Sequence, residues 1–379
     1  MRRLRARITA VVIAAAVAAL AACASSGSSS TNTTTAIGGS LGSGKCSSYT
    51  TFPFGSSHTL SDSALIVGID LGYFQKYCLK VGLVSELQAS AQITALASSK
   101  IWAIGIGWIP AMYTAADQGI DLKVVADKAG LSATEGIYGA VVAKKYAGAT
   151  SCQSLRNAEG QALGVASQLD DEQLLINNLL QPCGLKLSDY RLTVLPFAAL
   201  AAAIDNGAVA LAFQAEPTLT PLIQGGKAVY LTPNVGAKYG SSEISVGPVV
   251  FGSYLENPAN KQVAQEFIDA YTLAARYYDD AILTGKNLPA VEQDISSYAS
   301  IPLALFKNMH KPYYDPNDFT QPAVYGQVVN FAQQMENFFV AQNEMKSSQA
   351  KPASNIFDLS FARQAVKTLG VWKPPAGQS

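Results

Sequence analysis

Histidine is almost missing from this 379-residue chain, and charge is sparse. The two histidines, His58 and His310, stand far apart, and only 14% of residues are charged. With no Gly-x-Ser-x-Gly turn either, the sequence offers no nucleophile–base set, so an enzyme is not expected. No cysteine spacing resembles a zinc site, and neither a metal centre nor a cofactor is expected. Basic clusters are missing as well. Four of the 27 Lys and Arg residues (Arg2, Arg3, Arg5, Arg7) crowd the first seven positions, leaving 23 against 27 acidic residues in the body. A slightly acidic body gives no footing for nucleic acid. Long hydrophobic runs are lacking too: Ile8–Leu20 is too short to cross about 30 Å of hydrocarbon as a helix, and no later stretch is long and apolar enough.

What the N-terminus does contain is Arg2–Arg7, that apolar run, and then Leu20-Ala21-Ala22-Cys23. This is the layout of a signal peptide over residues 1–22. Leu-Ala-Ala-Cys looks like a bacterial lipobox, in which Cys23 is lipidated and becomes the new N-terminus; ordinary cleavage after Ala22 is the alternative. Residues 23–45 are nearly all Ser, Thr, Gly and Ala, a composition that cannot offset its ordering entropy and serves as a tether. The expected location is outside the cell membrane, held to it by lipid. Four cysteines remain in that oxidising setting, Cys46, Cys78, Cys152 and Cys183, and three pairings are open to them. Cys46 and Cys78 precede the first two expected strands, and Cys152 and Cys183 precede the first two of the later half. Neighbouring parallel strands start side by side, so 46–78 and 152–183 are the geometrically easy bridges.

Almost half of the chain is apolar, enough for two substantial cores. From Ala64 to Lys128, short apolar runs alternate with helical spacing. Leu83–Leu87, Trp102–Ile106 and Leu122–Ala126 read as buried strands; Ile93, Leu96 and Ala97 share a helical face, and Ala111–Gln118 makes a short helix. Such alternation predicts a parallel sheet with crossover helices. The pattern restarts later: strands Leu163–Ala166, Arg191–Leu195, Ala210–Phe213 and Val229–Leu231, with helices Asp171–Leu180, Ala198–Asn206 and Thr218–Gly225 between them. Val249–Phe251 would return the chain to the first half. Helices Lys261–Leu283, Leu288–Tyr298, Pro322–Glu344 and Leu359–Leu369 then follow, with Phe267, Tyr271 and Tyr278 as packing residues.

Several words in this order resemble a known family. They are Gly72-Tyr73-Phe74, Ala103-Ile104-Gly105-Ile106 and Gln118-Gly119-Ile120-Asp121-Leu122-Lys123-Val124-Val125. Ser154-Leu155 to Gly164-Val165-Ala166-Ser167, Ala203 to Gly207-Ala208-Val209, and Gln214-Ala215-Glu216-Pro217 continue the series. The chain is similar over roughly residues 60 to 255 to the substrate-binding lipoproteins of ABC importers, in the type 2 branch handling nitrate, sulfonates, taurine and thiamine-pyrimidine precursors. It departs at Trp102-Ala103, where the family often has an acidic residue, and at Arg156-Asn157-Ala158-Glu159-Gly160. The resemblance implies a two-lobed, periplasmic-binding-protein-like α/β fold with two hinge-crossing strands and C-terminal helices on the first lobe. Lobe 1 would take residues 46–137 and 247–379, and lobe 2 residues 138–246. A monomer would enclose a small molecule and present it to a permease and ATPase complex.

In such sheets ligands gather where strand ends meet helix N-termini. The candidate contacts are Ser57, Ser90, Gln92, Gly107, Trp108, Glu135 and Tyr138 on one side, and Ser167, Gln168, Asp171, Phe197, Gln214 and Glu216 on the other. Ser90 is placed to cap a helix, and Trp108 either stacks on a planar ligand or covers the strand end. These exits hold carboxylates and aromatic rings but hardly any Lys or Arg, whereas a strongly acidic ligand usually recruits a basic residue. The expected ligand is therefore a neutral or cationic nitrogenous compound, heteroaromatic ones included. A sulfonate or nitrate held by helix N-termini is the alternative, with a tethered sensor or an enzyme on the same fold as further readings.

Overall fold

A computed structural model describes residues 46–56, 59–84, 89–131, 136–232, 244–346 and 353–374. The expected signal segment, Cys23 and the tether lie outside them. Phe52 and Phe54 alternate with smaller residues in β1 (Thr50–Gly55), and both are fully buried. In chain order β2 (Leu79–Val84), β3 (Ala103–Gly105), β4 (Lys123–Leu131) and β5 (Tyr138–Ala143) follow. After them come β6 (Ala162–Val165), β7 (Arg191–Val194), β8 (Leu211–Ala215), β9 (Ala228–Thr232) and β10 (Ile244–Phe251). They form two five-stranded sheets with the same wiring, β2-β1-β3-β10-β4 and β7-β6-β8-β5-β9. In each, three parallel strands adjoin an antiparallel fourth, and that fourth is the strand on which the chain arrives from the other sheet. The chain passes between sheets from β4 to β5 and returns from β9 to β10.

Helices Ser63–Asp70, Ala89–Ala97, Pro110–Asp117, Asp171–Leu180, Phe197–Asp205 and Leu219–Gln224 make the connections. Pro110 sits in the first turn of its helix, where a missing N–H costs nothing. The second strand starts earlier than the expected Leu83, because Leu79, Val81 and Leu83 already alternate and pairing with β1 begins at Thr50 opposite Leu79. Disulfide Cys46–Cys78 closes the chain just ahead of that pair, and Cys152–Cys183 joins the helix Ser151–Asn157 to the turn after Asp171–Leu180. β4 runs on past the expected Ala126 to Leu131, because β10 pairs along it across several bulges.

The long helix Lys261–Thr284 lies on the first sheet. Its Phe267 stacks on Phe52 at 4.2 Å and meets Phe54, Phe74 and Phe251. Helix Pro322–Ala341 also packs here, with Tyr113 donating its hydroxyl to the Ala332 carbonyl at 2.8 Å. It reaches further than expected, because Met335, Phe338 and Phe339 belong to the same core as Leu174 and Leu180 of the later half.

Behind β4 lies a buried group of carboxyls, Asp127, Asp279, Asp315 and Asp318, with Arg276 as its guanidinium. Asp127 takes the Ser245 hydroxyl at 2.7 Å and the Asp315 N–H at 2.8 Å, joining β4, β10 and the 315 loop. Burial pushes all four carboxyls up, Asp318 to about 7 despite its bond from Thr272 and the nearby Arg276. A carboxyl whose pKa is raised on folding stabilises fully below its unfolded pKa, and the contribution is lost as pH rises through the folded value. The thermal midpoint should therefore fall between about pH 4 and pH 8. Asp318→Asn should flatten that slope, since asparagine accepts the left-handed backbone at this position, φ 48°. Thermal unfolding across pH measures it, and an equal slope in the variant would remove Asp318 as the source.

Candidate ligand cleft

The exits of the parallel strands converge on a cavity of about 480 Å³, a size suited to a small molecule. Its first wall comes from Leu60 and Ser61 after β1, Gln92, Gly105 to Gly107 at the end of β3, and Lys128 of β4. The second wall comes from Ala166 and Ser167 after β6, Asp170 to Glu172, Pro196 and Phe197 after β7, and Glu216 to Thr218 after β8. Tyr138, where the chain enters the second sheet, lies between the two and stacks on Phe213 at 5.6 Å.

Carboxyls dominate the second wall. Asp170 is the N-cap of the helix Asp171–Leu180 and accepts the Glu172 N–H at 3.1 Å. Glu172 turns back to accept the Ala166 N–H at 2.7 Å, fixing the β6 exit. The backbone of Trp108, which belongs to the opposite wall, lowers the pKa of Asp171 and so favours its charged form. Burial is the first cause of a raised pKa at all three. Asp171 is pushed to about 7, and Asp170 and Glu172 are held well above the usual carboxylate range, with their mutual repulsion adding to it. Glu216 is also raised by burial, although its carboxylate accepts from the Thr220 N–H at 3.1 Å, the Thr220 hydroxyl and the His310 N–H at 3.3 Å. His310 follows the helices of the first sheet, so Glu216 hydrogen-bonds across the gap.

On the first wall Lys128 Nζ stands 3.0 Å from Asp62 Oδ1 and donates to Ser61 Oγ at 2.6 Å. Asp62 Oδ2 in turn accepts from Ser56 Oγ at 2.6 Å and Tyr298 OH at 3.1 Å.

Of the sequence-predicted contacts, Gln92, Gly107, Tyr138, Ser167, Asp171, Phe197 and Glu216 line this cavity. Trp108 does not. Its ring is fully buried near Tyr113 and Phe357, and its indole N–H donates to the Ser245 carbonyl at 2.7 Å, so only its backbone serves the cleft. Gln214 is buried behind the wall, holding the Phe197 carbonyl and the Thr218 hydroxyl. Gln168 points to solvent. Ser57 and Glu135 lie outside the described residues, as does the Ser90 side chain. In the sequence Asp170 and Glu172 read, with Asp171, mainly as partners of the helix dipole, and Thr218 and, above all, Lys128 do not stand out. The signal for Lys128 was there: Asp127-Lys128 is a charged pair inside an apolar strand, which is costly unless both find partners. Among the described residues, no three His, Cys, Asp or Glu side chains are grouped to hold a metal ion.

A family model described as "NMT1/THI5 like" matches residues 61–279. Among curated proteins none matches this sequence. Three solved structures illustrate the likeness in fold. The nitrate-binding protein NrtA of Synechocystis PCC 6803 is 14% identical with a TM-score of 0.66, covering 87% of this chain and 91% of its own. The alkanesulfonate-binding protein SsuA of Xanthomonas axonopodis pv. citri, bound to MOPS, is 19% identical with a TM-score of 0.63, covering 82% and 99%. A ligand-binding component of an ABC-type import system from Staphylococcus aureus, with zinc bound, is 14% identical with a TM-score of 0.65, covering 83% and 98%. The architecture is that of the periplasmic binding proteins.

Proposed function

The chain belongs to the NMT1/THI5-like family, and from that premise we propose that it is the extracytoplasmic solute-binding component of an ABC importer. The observation that carries this reading is the cavity itself, set where two identically wired sheets turn their strand exits toward each other. Its named neighbours in fold, which bind nitrate and an alkanesulfonate, support it. The two lobes would be residues 46–137 with 247–379 and residues 138–246, hinged at the two crossings. Ligand would favour the closed form by its greater affinity for it, and the permease would read closure as a docking signal.

The ligand we propose is a small neutral or cationic nitrogen compound. Four carboxyls on one wall, Tyr138 and Phe197 beside them, and a cavity wall without histidine or cysteine among the described residues favour holding such a molecule over transforming it. The Leu20–Cys23 sequence supports a lipid anchor at Cys23, with the chain acting as a monomer. Native mass spectrometry of gently purified protein should show a bound small molecule of this class. Calorimetry with aminopyrimidines, amines, sulfonates and nitrate should then rank nitrogenous bases first. Tight binding of an acid alone would refute the ligand class, and no bound or titratable small molecule would refute the function.

A further inference from the structure

We propose that Asp62 sets the charge selectivity of the cleft: by pairing with Lys128 it cancels the one cation on the described cavity wall and makes the site turn away small anions. The inference deepens the solute-binding reading and rests on it.

Lys128 is the side chain that an entering oxyanion would otherwise recruit, since an ammonium donates charge-assisted hydrogen bonds to such groups. Here that capacity is already committed. Nζ lies 3.0 Å from Asp62 Oδ1 and 2.6 Å from Ser61 Oγ, and the two side chains are 3% and 0% exposed. Asp62 is itself fixed by Ser56 and Tyr298, so it does not swing away to release the lysine. The pair carries no net charge, and the opposite wall adds Asp170, Asp171, Glu172 and Glu216. An anion would thus meet no free cation on either side, only carboxyls and a neutralised lysine. A neutral acceptor can still use a remaining ammonium proton, and an N–H donor can bond to the carboxyl oxygens.

The test compares wild-type protein, Asp62→Asn and Lys128→Met in calorimetric titrations with nitrate, methanesulfonate and protonated 4-aminopyrimidine, with circular dichroism to verify folding. Wild type should bind the aminopyrimidine and neither anion. Asp62→Asn frees the lysine charge and should gain roughly tenfold or more in anion affinity. Lys128→Met should still exclude both anions. A folded Asp62→Asn protein with no gain for anions overturns the proposal. So does wild-type anion binding that Lys128→Met abolishes. Were Asp62→Asn not to fold, the other two proteins still decide the matter. A wild type that takes up no small molecule would bring down the solute-binding reading as well, whereas failure confined to the variants leaves that reading standing.

Discussion

Gly105→Ala should lose about 3–5 kcal/mol of stability, the scale expected when a buried ion pair is broken from one side. A Cβ at Gly105 would lie 1.8 Å from Lys128 Cδ and 2.1 Å from Cε, so the lysine stem could not keep its course across β3. Lys128 would have to leave a site where it is almost fully enclosed, and Asp62 would stay behind as an uncompensated buried carboxylate. Chemical denaturation measures the loss. The account also requires non-additivity. In Lys128→Ala protein the clash no longer exists, so adding Gly105→Ala there should cost little more. Equal losses in both backgrounds would show that the glycine matters for some reason other than the lysine above it.

The second large effect concerns closure. Glu216 takes a backbone N–H from the other side of the cleft, from His310, and the Trp108 backbone on that same side favours the charged form of Asp171. Removing the Glu216 acceptor strands its donor, at about 1–3 kcal/mol. Asp171→Ala and Glu216→Ala together should lower the affinity for the natural ligand by roughly a hundredfold or more. They should also raise the radius of gyration of the ligand-free protein in small-angle scattering, since the closed arrangement loses the Glu216–His310 tie and the Asp171 carboxyl facing Trp108. An unchanged scattering profile would mean that these contacts do not hold the cleft together. The scattering arm needs no knowledge of the ligand, so it tests the geometry separately from the function.

Much of the architecture was legible in the sequence because it depends on local periodicity. Apolar runs of strand length between helical stretches located most of the strands along the chain, and both expected cysteine pairings are present, Cys46–Cys78 just ahead of β1 and β2 and Cys152–Cys183 on the helical segments that precede β6 and β7. Burial of Phe267, Tyr271 and Tyr278 followed from helical spacing alone. The misses share one physical cause, which is that they depend on side-chain direction or on partners far along the chain. At a strand exit a single residue decides between facing the gap and facing the core. Trp108 faces the core because Ser245, 137 residues away, accepts its N–H. Gln214 looked like a ligand contact and is instead a brace for Phe197 and Thr218. The exits hold one basic residue that their own sequence does not reveal. A lysine is present, and a carboxylate 66 positions earlier neutralises it.

The placement of β10 has a bearing on how the molecule is assembled. It lies between β3 and β4, so the first sheet has a vacant slot until a strand made more than a hundred residues later arrives to fill it. The second sheet, by contrast, draws all its strands from one uninterrupted stretch, β5 to β9. Pairings that close long loops come late because their entropy must be met before any contact rewards it. The sheet made from the middle of the chain is thus complete in its own strands, while the first sheet, begun earlier, waits with an open seam for a strand made after its partner.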